Sequence, residues 1–389
     1  MNLFREHILS LPALITEVFP IFKAEADRVF DETLCQSLTR LHTIGCGDSH
    51  HACEATELAF ELLGGIPTEP RMAMSFSCYA MATPLPFLSL AKDDGKGAAS
   101  PLARGEGVMG VSVSGGVTRT IEGLLRAAQH GMMTLAITSA NTTPIAKAAQ
   151  HVLTTRVPDV PNAQGVQVPG SRSFFASLVM LYLSAIRMGE ARGHISPAQA
   201  DDWRSQLLAC ADAIHETVRL CDAAARDLAE QTLDATEFVF CGSGPNHASA
   251  LFSAAKVLEA SGDPALAQDV EEWAHLQYFA KATNTPAFLI SAGERDASRA
   301  DEINTAMQTI GRRVIRVSPK ESSRVPSTWL RYAACDEIFA PLVATIPTML
   351  FASYRAELKG EPYFRNFGGG RSIENGGGIS RIRTSELVI

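Results

Sequence analysis

The sequence contains no C-x-x-C pair, although eight of its 389 residues are cysteines. Thiols scattered in this way are typical of reduced cysteines in a cytosol rather than of a disulfide framework. The opening segment, MNLFREHILSLPALITEVF, carries Glu6 and lacks a small-residue cleavage site after a basic stretch. This pattern favours an amphipathic helix over a signal peptide. The sequence therefore predicts a cytoplasmic protein.

Basic residues are too few to give an electropositive surface. The chain has 34 Lys and Arg against 42 Asp and Glu, a net charge of −8, which argues against non-specific binding to nucleic acid or to an anionic membrane. A long uninterrupted apolar run is also missing. The most apolar segment, 338–354, contains Pro341 and Pro347, and we interpret it as buried core. We expect a globular, two-domain protein that binds a small molecule locally.

What the sequence does contain is a strand-to-helix junction that is rich in hydroxyl groups. Residues 108–113 are apolar and β-branched and predict a buried strand, and a helix follows Gly115 and Gly116. Unpaired N–H groups and the positive end of the helix dipole favour an anion there. The hydroxyl side chains are those of Ser112, Ser114, Thr118 and Thr120. We predict a phosphate site, without the lysine of a nucleotide P-loop; an ordinary Ser- and Gly-rich capped turn is the alternative.

A strand, a glycine turn and a helix occur twice in the chain. The first copy has a strand at 42–46, a turn at 45–50 and a helix at 51–63, and the second has them at 238–241, 242–247 and 248–261. Gly45, Gly47 and His50 correspond to Gly242, Gly244 and His247 at one offset, 242 − 45 = 197 residues. The chain is interpreted as a tandem duplication. Alternating strands and helices predict parallel sheets with helices on both faces, which bind ligands beyond the carboxyl ends of their strands.

The two halves differ in ways that bear on function. The first has SVSGG where the second has SAGER, so we expect one phosphate site per chain, in the first half. Segment 90–106 has no counterpart and is predicted to be a surface insertion or lid, and a helix from about 198 to 231 links the halves. The tail from Phe364 is glycine-rich and basic. It is interpreted either as a floppy terminus or as an arm that folds over an anionic substrate.

No cofactor or metal is predicted. Cys46, His50, His51 and Cys53 include the usual zinc ligand types, but they surround a turn and a first helical turn, where facing directions diverge. His50 and His247, which occupy equivalent turns, favour a structural role. The Gly45-x-Gly47 turn lacks the third glycine of a dinucleotide fingerprint, which argues against a nicotinamide cofactor.

Three motifs together carry a family resemblance. They are CGDS at 46–49, SVSGGVTRT at 112–120 and a second-half helix that ends in Lys256 and Glu259. The chain resembles tandem sugar-isomerase (SIS) domain proteins over residues 40–360, including the isomerase domain of glucosamine-fructose-6-phosphate aminotransferase and the phosphosugar deaminases and deglycases. The resemblance implies an α/β fold with two SIS domains, each a five-stranded parallel sheet flanked by helices in a three-layer, flavodoxin-like sandwich.

The domain limits that we predict are a helical arm at 1–38, SIS domain 1 at 39–195, a linker helix at 196–235, SIS domain 2 at 236–360 and the tail at 361–389. By resemblance, the SxSG turn and the serine of the first glycine turn hold the sugar phosphate. The candidate substrate- and phosphate-binding residues are Gly47, Asp48, Ser49, Ser112, Ser114, Gly115, Thr118, Ser171 and Arg371.

The resemblance also implies the catalytic residues. The family's catalytic glutamate ends the first helix of the second domain after a lysine, and its ring-opening histidine follows sixteen residues later. Lys256, Glu259 and His275 match this pattern, because 275 − 259 = 16. In relatives the histidine usually reaches the active site of the neighbouring subunit, which implies a homodimer.

This chain departs from the family pattern at several positions. Val117 stands where the family has a threonine, and Thr118 is the hydroxyl that could replace it. His275 is followed by Leu-Gln rather than Gly-Pro. The tail has no counterpart of the lysine of the aminotransferase branch, for which Arg371 or Arg381 could supply a cation.

Aldose–ketose isomerisation needs a ring-opening acid or base, a base that moves a proton between C1 and C2, and a group that stabilises the enediolate. His275 suits the first role, Glu259 the second and Lys256 the third. The structural alternative is that Glu259 is a solvated helix-end carboxylate and Lys256 its i,i+3 ion-pair partner.

The predicted function is isomerisation of a hexose or amino-sugar 6-phosphate through an enediol. The alternatives are an amino-sugar-6-phosphate deaminase, a fructosamine-6-phosphate deglycase, an isomerase of a sugar 6-sulfonate, and a non-catalytic sugar-phosphate sensor.

Overall fold

The computed structural model describes residues 2–80, 105–160, 167–321, 327–366, 369–378 and 382–387. The chain divides into two compact units. The first-sheet unit comprises residues 17–157, 176–204 and 380–389, and the second-sheet unit comprises residues 1–16, 158–175 and 205–379. Most of segment 90–106 lies outside the described residues, and the domain limits given above stay a prediction.

Five parallel strands form the sheet of the first-sheet unit in the order β2-β1-β3-β4-β5. Nearly every side chain of the central strands is buried, as expected for a parallel sheet that is covered on both faces. The strands are β1 (Arg40–Gly45), β2 (Thr68–Met72), β3 (Glu106–Val111), β4 (Met133–Thr138) and β5 (His151–Thr154).

β3 ends two residues before the predicted limit of 113. The N–H of Gly115 donates to the carbonyl of Ser112 over 3.0 Å, so a turn begins directly after Val111. The helices up to this sheet's last strand are α1 (Leu3–Leu9), α2 (Leu11–Val29), α3 (Glu32–Ser37), α4 (Asp48–Leu62), α5 (Ala73–Ser75), α6 (Thr118–Gln129) and α7 (Pro144–Lys147). Ile121 and Leu124 of α6 pack on Ile44, Val108 and Ala136 of the strands.

The second-sheet unit has the strand order β10-β9-β8-β6-β7. Read from the other end, this is the order of the first sheet with five added to each strand number. The strands are β6 (Phe238–Cys241), β7 (Ala265–Gln268), β8 (Pro286–Ile290), β9 (Arg313–Ser318) and β10 (Thr328–Arg331). The helices after β5 are α8 (Arg172–Ala191), α9 (Pro197–Gln231), α10 (Pro245–Ser261), α11 (Val270–His275), α12 (Ala297–Thr309) and α13 (Ala340–Lys359). Two five-stranded parallel sheets flanked by helices confirm the predicted fold class.

The two glycine turns have the same backbone conformation. Gly47 precedes α4 with φ 55° and ψ −131°, and Gly244 precedes α10 with φ 54° and ψ −132°. Only glycine adopts this region without strain. Gly45 is required for another reason, because a Cβ there would lie 2.7 Å from the carbonyl carbon of Ser49.

Two long apolar helices lie in the interior. Arg172–Ala191 and Glu337–Lys359 are long and apolar enough to cross a membrane, but 89% and 100% of their most apolar windows are buried inside the protein. The bent pair Leu3–Leu9 and Leu11–Val29 passes the same test of length and composition. Burial of 338–354 confirms its interpretation as core. All eight cysteines are free.

Candidate functional site

The first sheet places two helix N-termini side by side. β1 pairs with β2 on one side and with β3 on the other, and Ile44 of β1 lies beside Gly110 of β3. β1 leads into α4 and β3 leads into α6, so both helices begin at the carboxyl edge of the sheet. In open parallel sheets ligands bind at this edge, where successive connections leave in opposite directions.

Ser112 is a buried polar side chain at this edge of the sheet. It is 2% exposed, and its hydroxyl has no hydrogen-bond partner among the described residues. A buried hydroxyl left unsatisfied costs about 1–3 kcal/mol. Ser114 is exposed and accepts from the N–H of Gly116 over 3.5 Å. An anion at the turn could accept from both serines.

Gly115 gives the turn its shape. Its φ is +65°, and a Cβ there would lie 2.3 Å from the Cβ of Thr143. Its carbonyl accepts from the N–H of Ile145 over 3.0 Å. The backbone therefore packs directly on the start of α7, which only glycine permits.

The glycine turn before α4 brings a carboxylate to the same edge. Asp48 is the first residue of α4, and its Oδ1 lies 3.7 Å from Nδ1 of His51. A carboxylate repels a phosphate but accepts hydrogen bonds from sugar hydroxyls. The geometry therefore favours Ser49, rather than Asp48, for contact with an anion. His50 is buried 3.0 Å from Glu54, in keeping with its expected structural role.

Sequence analysis missed one candidate neighbour of this turn, Arg383. Loss of hydration raises the pKa of the Cys46 thiol, while the Thr120 hydroxyl and the Arg383 guanidinium lower it. Arg383 thus brings positive charge to the carboxyl edge from the tail. Arg371, the predicted cation, lies exposed in the second-sheet unit, and Arg381 lies outside the described residues. No local sequence signal distinguishes Arg383 from the other tail arginines.

The tail packs on the first turn of α6. The Thr118 hydroxyl donates to the carbonyl of Ser385 over 3.1 Å and accepts from its N–H over 3.0 Å. Arg119 donates to the Ser385 hydroxyl over 2.6 Å and to the carbonyl of Glu386 over 2.9 Å. Arg119 is also paired with the fully buried Glu122. The described part of the tail is therefore held in place, and the Thr118 hydroxyl is engaged by it.

Lys256 and Glu259 form an ion pair on α10. The Lys256 side chain is fully buried, its Nζ donates to the Glu259 carboxylate, and Glu259 is 23% exposed. The Lys256 Nζ lies 4.7 Å from the centroid of the Phe252 ring, which stacks on Phe174 at 3.8 Å. A lysine partner favours the ionised form of a carboxylate. The pair satisfies the structural alternative and also places the Lys256 ammonium beside the carboxylate that the resemblance names as the base.

His275 lies at the end of α11 with 68% of its side chain exposed. Its Nε2 is 3.3 Å from Oε1 of Glu271. The Glu271 carboxylate also accepts two hydrogen bonds from Arg299, over 2.7 Å at Oε2 and over 3.0 Å at Oε1. The Arg299 guanidinium lowers the pKa of Glu271. The carboxylate beside His275 is thus that of Glu271 rather than that of Glu259.

Other predicted residues have separate surroundings. Ser171, in the second-sheet unit, is 1% exposed, and its hydroxyl has no partner among the described residues. Within the described ranges, no group of three His, Cys, Asp or Glu side chains is arranged to hold a metal.

Part of this chain matches a known domain family. Residues 72–187 match the model of the SIS domain. Over 337 residues the chain is 26% identical to the isomerising glutamine–fructose-6-phosphate aminotransferase of Gloeobacter violaceus, covering 84% of this chain and 50% of that protein. The chain thus spans about half the length of the curated relatives it matches.

Solved structures agree in fold. The C-terminal domain of glucosamine-fructose-6-phosphate aminotransferase from Francisella tularensis superposes with a TM-score of 0.78 at 18% identity, covering 92% of this chain and 96% of that one. Tagatose-6-phosphate ketose/aldose isomerase from Escherichia coli superposes with a TM-score of 0.67 at 14% identity, covering 93% of both. At these identities the likeness shows the fold alone.

Proposed function

Because residues 72–187 match the model of the SIS domain, we propose that this chain is an enzyme that moves the carbonyl of a hexose or amino-sugar 6-phosphate between C1 and C2. The observation that carries this proposal is the buried Ser112 hydroxyl, which has no partner among the described residues at the junction of β3 and α6. A sugar phosphate supplies the acceptor that this hydroxyl lacks.

In the proposed reaction the phosphate serves as a handle. Ser112, Ser114 and Ser49 donate to its oxygens, and the N-terminus of α6 adds its dipole. Arg383, rather than the Arg371 predicted from the sequence, supplies the positive charge. The phosphate then fixes the sugar without contacting the reacting carbons. Asp48 accepts from a sugar hydroxyl.

Glu259 is the proposed base. Its carboxylate takes the proton from C2 of the open-chain aldose, and the Lys256 ammonium stabilises the negative charge of the enediolate. The carboxylate then returns the proton to C1, while the hydroxyl proton of O2 passes to O1. The Lys256–Glu259 ion pair supports these roles, because it places the two side chains together on α10. Proton transfer of this kind contributes roughly 10²–10⁴-fold to rate.

His275 is proposed to open the sugar ring in the neighbouring subunit of a homodimer. Its exposure supports this role, as does the exposed apolar run that follows it: Leu276 is 57% exposed, Tyr278 46% and Phe279 77%. Exposed apolar side chains grouped in this way are typical of interaction surfaces. We further propose that the protein is cytoplasmic.

A thermal-shift screen tests the proposal. Sugar 6-phosphates, amino-sugar 6-phosphates, fructosamine 6-phosphates and sugar 6-sulfonates are compared, since a ligand that binds the native state raises the melting temperature. We expect a phosphosugar to stabilise the wild-type protein and not Ser112→Ala. The matched control is Ser291→Ala, because Ser291 directly follows β8 as Ser112 directly follows β3. NMR of the product and an ammonia assay then separate isomerase from deaminase or deglycase. Stabilisation by sulfonates alone, or binding without turnover, would contradict the proposal.

A further inference from the structure

Each half of the chain has a serine after its third strand and a helix that begins six residues later. Ser112 and Ser291 are equivalent at an offset of 291 − 112 = 179, and the same offset relates the helix starts Thr118 and Ala297. The residue immediately before each helix is therefore also equivalent. It is Val117 before α6 and Asp296 before α12.

In the second half the serine hydroxyl is satisfied from within. Ser291 is fully buried, and its hydroxyl donates to Oδ1 of Asp296 over 2.8 Å. The same oxygen of Ser291 accepts from the N–H of Gly293 over 3.0 Å. The carboxylate of Asp296 thus lies beside the serine at the start of α12, where an anion would otherwise be stabilised.

The charges around Asp296 are balanced. Burial raises the pKa of its carboxyl, the Ser291 hydrogen bond lowers it, Glu337 raises it and Arg316 lowers it. Arg316 is itself 3.1 Å from Asp301, and Glu337 is paired with Arg295. Among the described residues, Arg316 and Arg295 are thus each paired with another carboxylate.

The first half has the same spacing without the internal acceptor, and Val117 is extended (φ −74°, ψ 108°) where Asp296 is helical (φ −86°, ψ −8°). Val117 makes no side-chain hydrogen bond to the start of α6, and the equivalent hydroxyl, that of Ser112, is 2% exposed and has no partner in the described part of the chain. Valine is apolar and can neither accept from this serine nor repel an anion. The two halves therefore differ at a side chain that can occupy the serine hydroxyl.

We propose that Val117 keeps the anion position of the first half open, and that Asp296 fills the equivalent position of the second half with its own carboxylate. The identity of the anion as a substrate phosphate rests on the proposed function. Val117 is in this account a specificity-determining residue: an acidic side chain at position 117 would occupy the Ser112 hydroxyl and exclude the ligand.

The first test is a double-mutant cycle without any ligand. Val117→Asp is combined with Ser112→Ala, and thermal unfolding of the four proteins is measured. If Asp at position 117 accepts from Ser112, the Ser112→Ala change lowers the melting temperature by about 2–4 °C more in the aspartate background than in the wild type. Equal effects in both backgrounds would overturn the proposal. In the mirror cycle, Asp296→Val is combined with Ser291→Ala. Here the Ser291→Ala change must lower the melting temperature less in the valine background than in the wild type. This cycle remains informative if Val117→Asp does not fold.

The second test uses inorganic phosphate as the probe. Phosphate should stabilise the wild type and Val117→Thr, which has the shape of valine and adds no charge, but not Val117→Asp. Where turnover is found, Val117→Asp should raise KM for the phosphosugar at least ~10-fold, the loss of one charge-assisted hydrogen bond, with little change in kcat. Undiminished phosphate stabilisation of Val117→Asp would refute the inference while leaving the proposed function intact. Failure of phosphate to stabilise the wild type would count against the proposed function, and the ligand-free cycles would still decide the role of Val117.

Discussion

Replacing Arg355 by methionine should destabilise the second-sheet unit strongly. The Arg355 side chain is 1% exposed on α13 and donates to Oδ2 of Asp263 over 2.6 Å. It also donates to the carbonyls of Thr232 and Ala235, each over 2.8 Å. Methionine keeps the apolar stem and removes all three hydrogen bonds. The change also leaves a buried carboxylate with one cation fewer.

The expected loss in the free energy of unfolding depends on the partners that Asp263 and the two carbonyls keep. Removing one partner of a buried ion pair costs about 3–5 kcal/mol. Asp263 keeps Lys359 at 2.6 Å and Ser261 at 2.7 Å, which places the carboxylate's share of the loss at the low end of that range. The two carbonyls each lose a donor, at about 1 kcal/mol apiece. We expect a total of about 4–5 kcal/mol.

Chemical denaturation of wild type and Arg355→Met measures this loss directly. Asp263→Asn is the matched second variant, and the double variant closes the cycle. Burial raises the pKa of Asp263, but Arg355, Lys359 and Ser261 together hold it below its usual value. The stabilisation that these partners of the Asp263 carboxylate provide is therefore present at neutral pH, and it is lost as the pH falls through the native-state pKa of Asp263. A loss below about 1 kcal/mol, the value of an exposed pair, would refute the reasoning.

Three further predictions concern the first-sheet unit. Burial and the carboxylates of Glu61 and Glu54 raise the pKa of Glu57 to about 6. The native state therefore holds this proton more tightly than the unfolded state, and stability falls as the pH rises through that value. Glu57→Gln should raise the melting temperature at pH 7.5 but not at pH 4. Thr118→Val should speed amide hydrogen exchange of the tail at 382–387, and unchanged protection would contradict the contact described above. Gly47→Ala should lower the free energy of unfolding by about 1–3 kcal/mol through strain at positive φ. Thermal unfolding measures this loss. The control is Gly116→Ala, where φ is not positive and a Cβ meets nothing within 4 Å.

Local patterns were sufficient to predict much of the fold. Gly45 and Gly47 mark the turn between a strand and a helix. Their repetition as Gly242 and Gly244 predicts a second such turn, and the matching dihedral angles at Gly47 and Gly244 agree with this prediction. The end of β3 was predicted two residues late, because Ser112 and Val113 continue the apolar, β-branched pattern while a Gly115 hydrogen bond already bends the chain.

The arrangement of the candidate site was less accessible, since its contacts join residues far apart in sequence. Thr118 and Ser385 are separated by 267 positions, and nothing near either one indicates the other. Arg383 was one of several tail arginines, and only the fold places its charge near Cys46. The aromatic surroundings of Lys256 likewise depend on Phe174, which lies on a different helix from Phe252.

Hydrogen–deuterium exchange at the sugar carbons tests the central claim most directly. Phosphosugars that stabilise the protein are incubated with it in D₂O, and proton NMR follows C1 and C2. Isomerisation through an enediol with Glu259 as base predicts deuterium at these carbons together with ketose formation, and both should be lost in Glu259→Gln, which should still be stabilised by the ligand. Exchange that persists in Glu259→Gln, or tight binding of phosphosugars without any exchange in the wild type, would contradict the account.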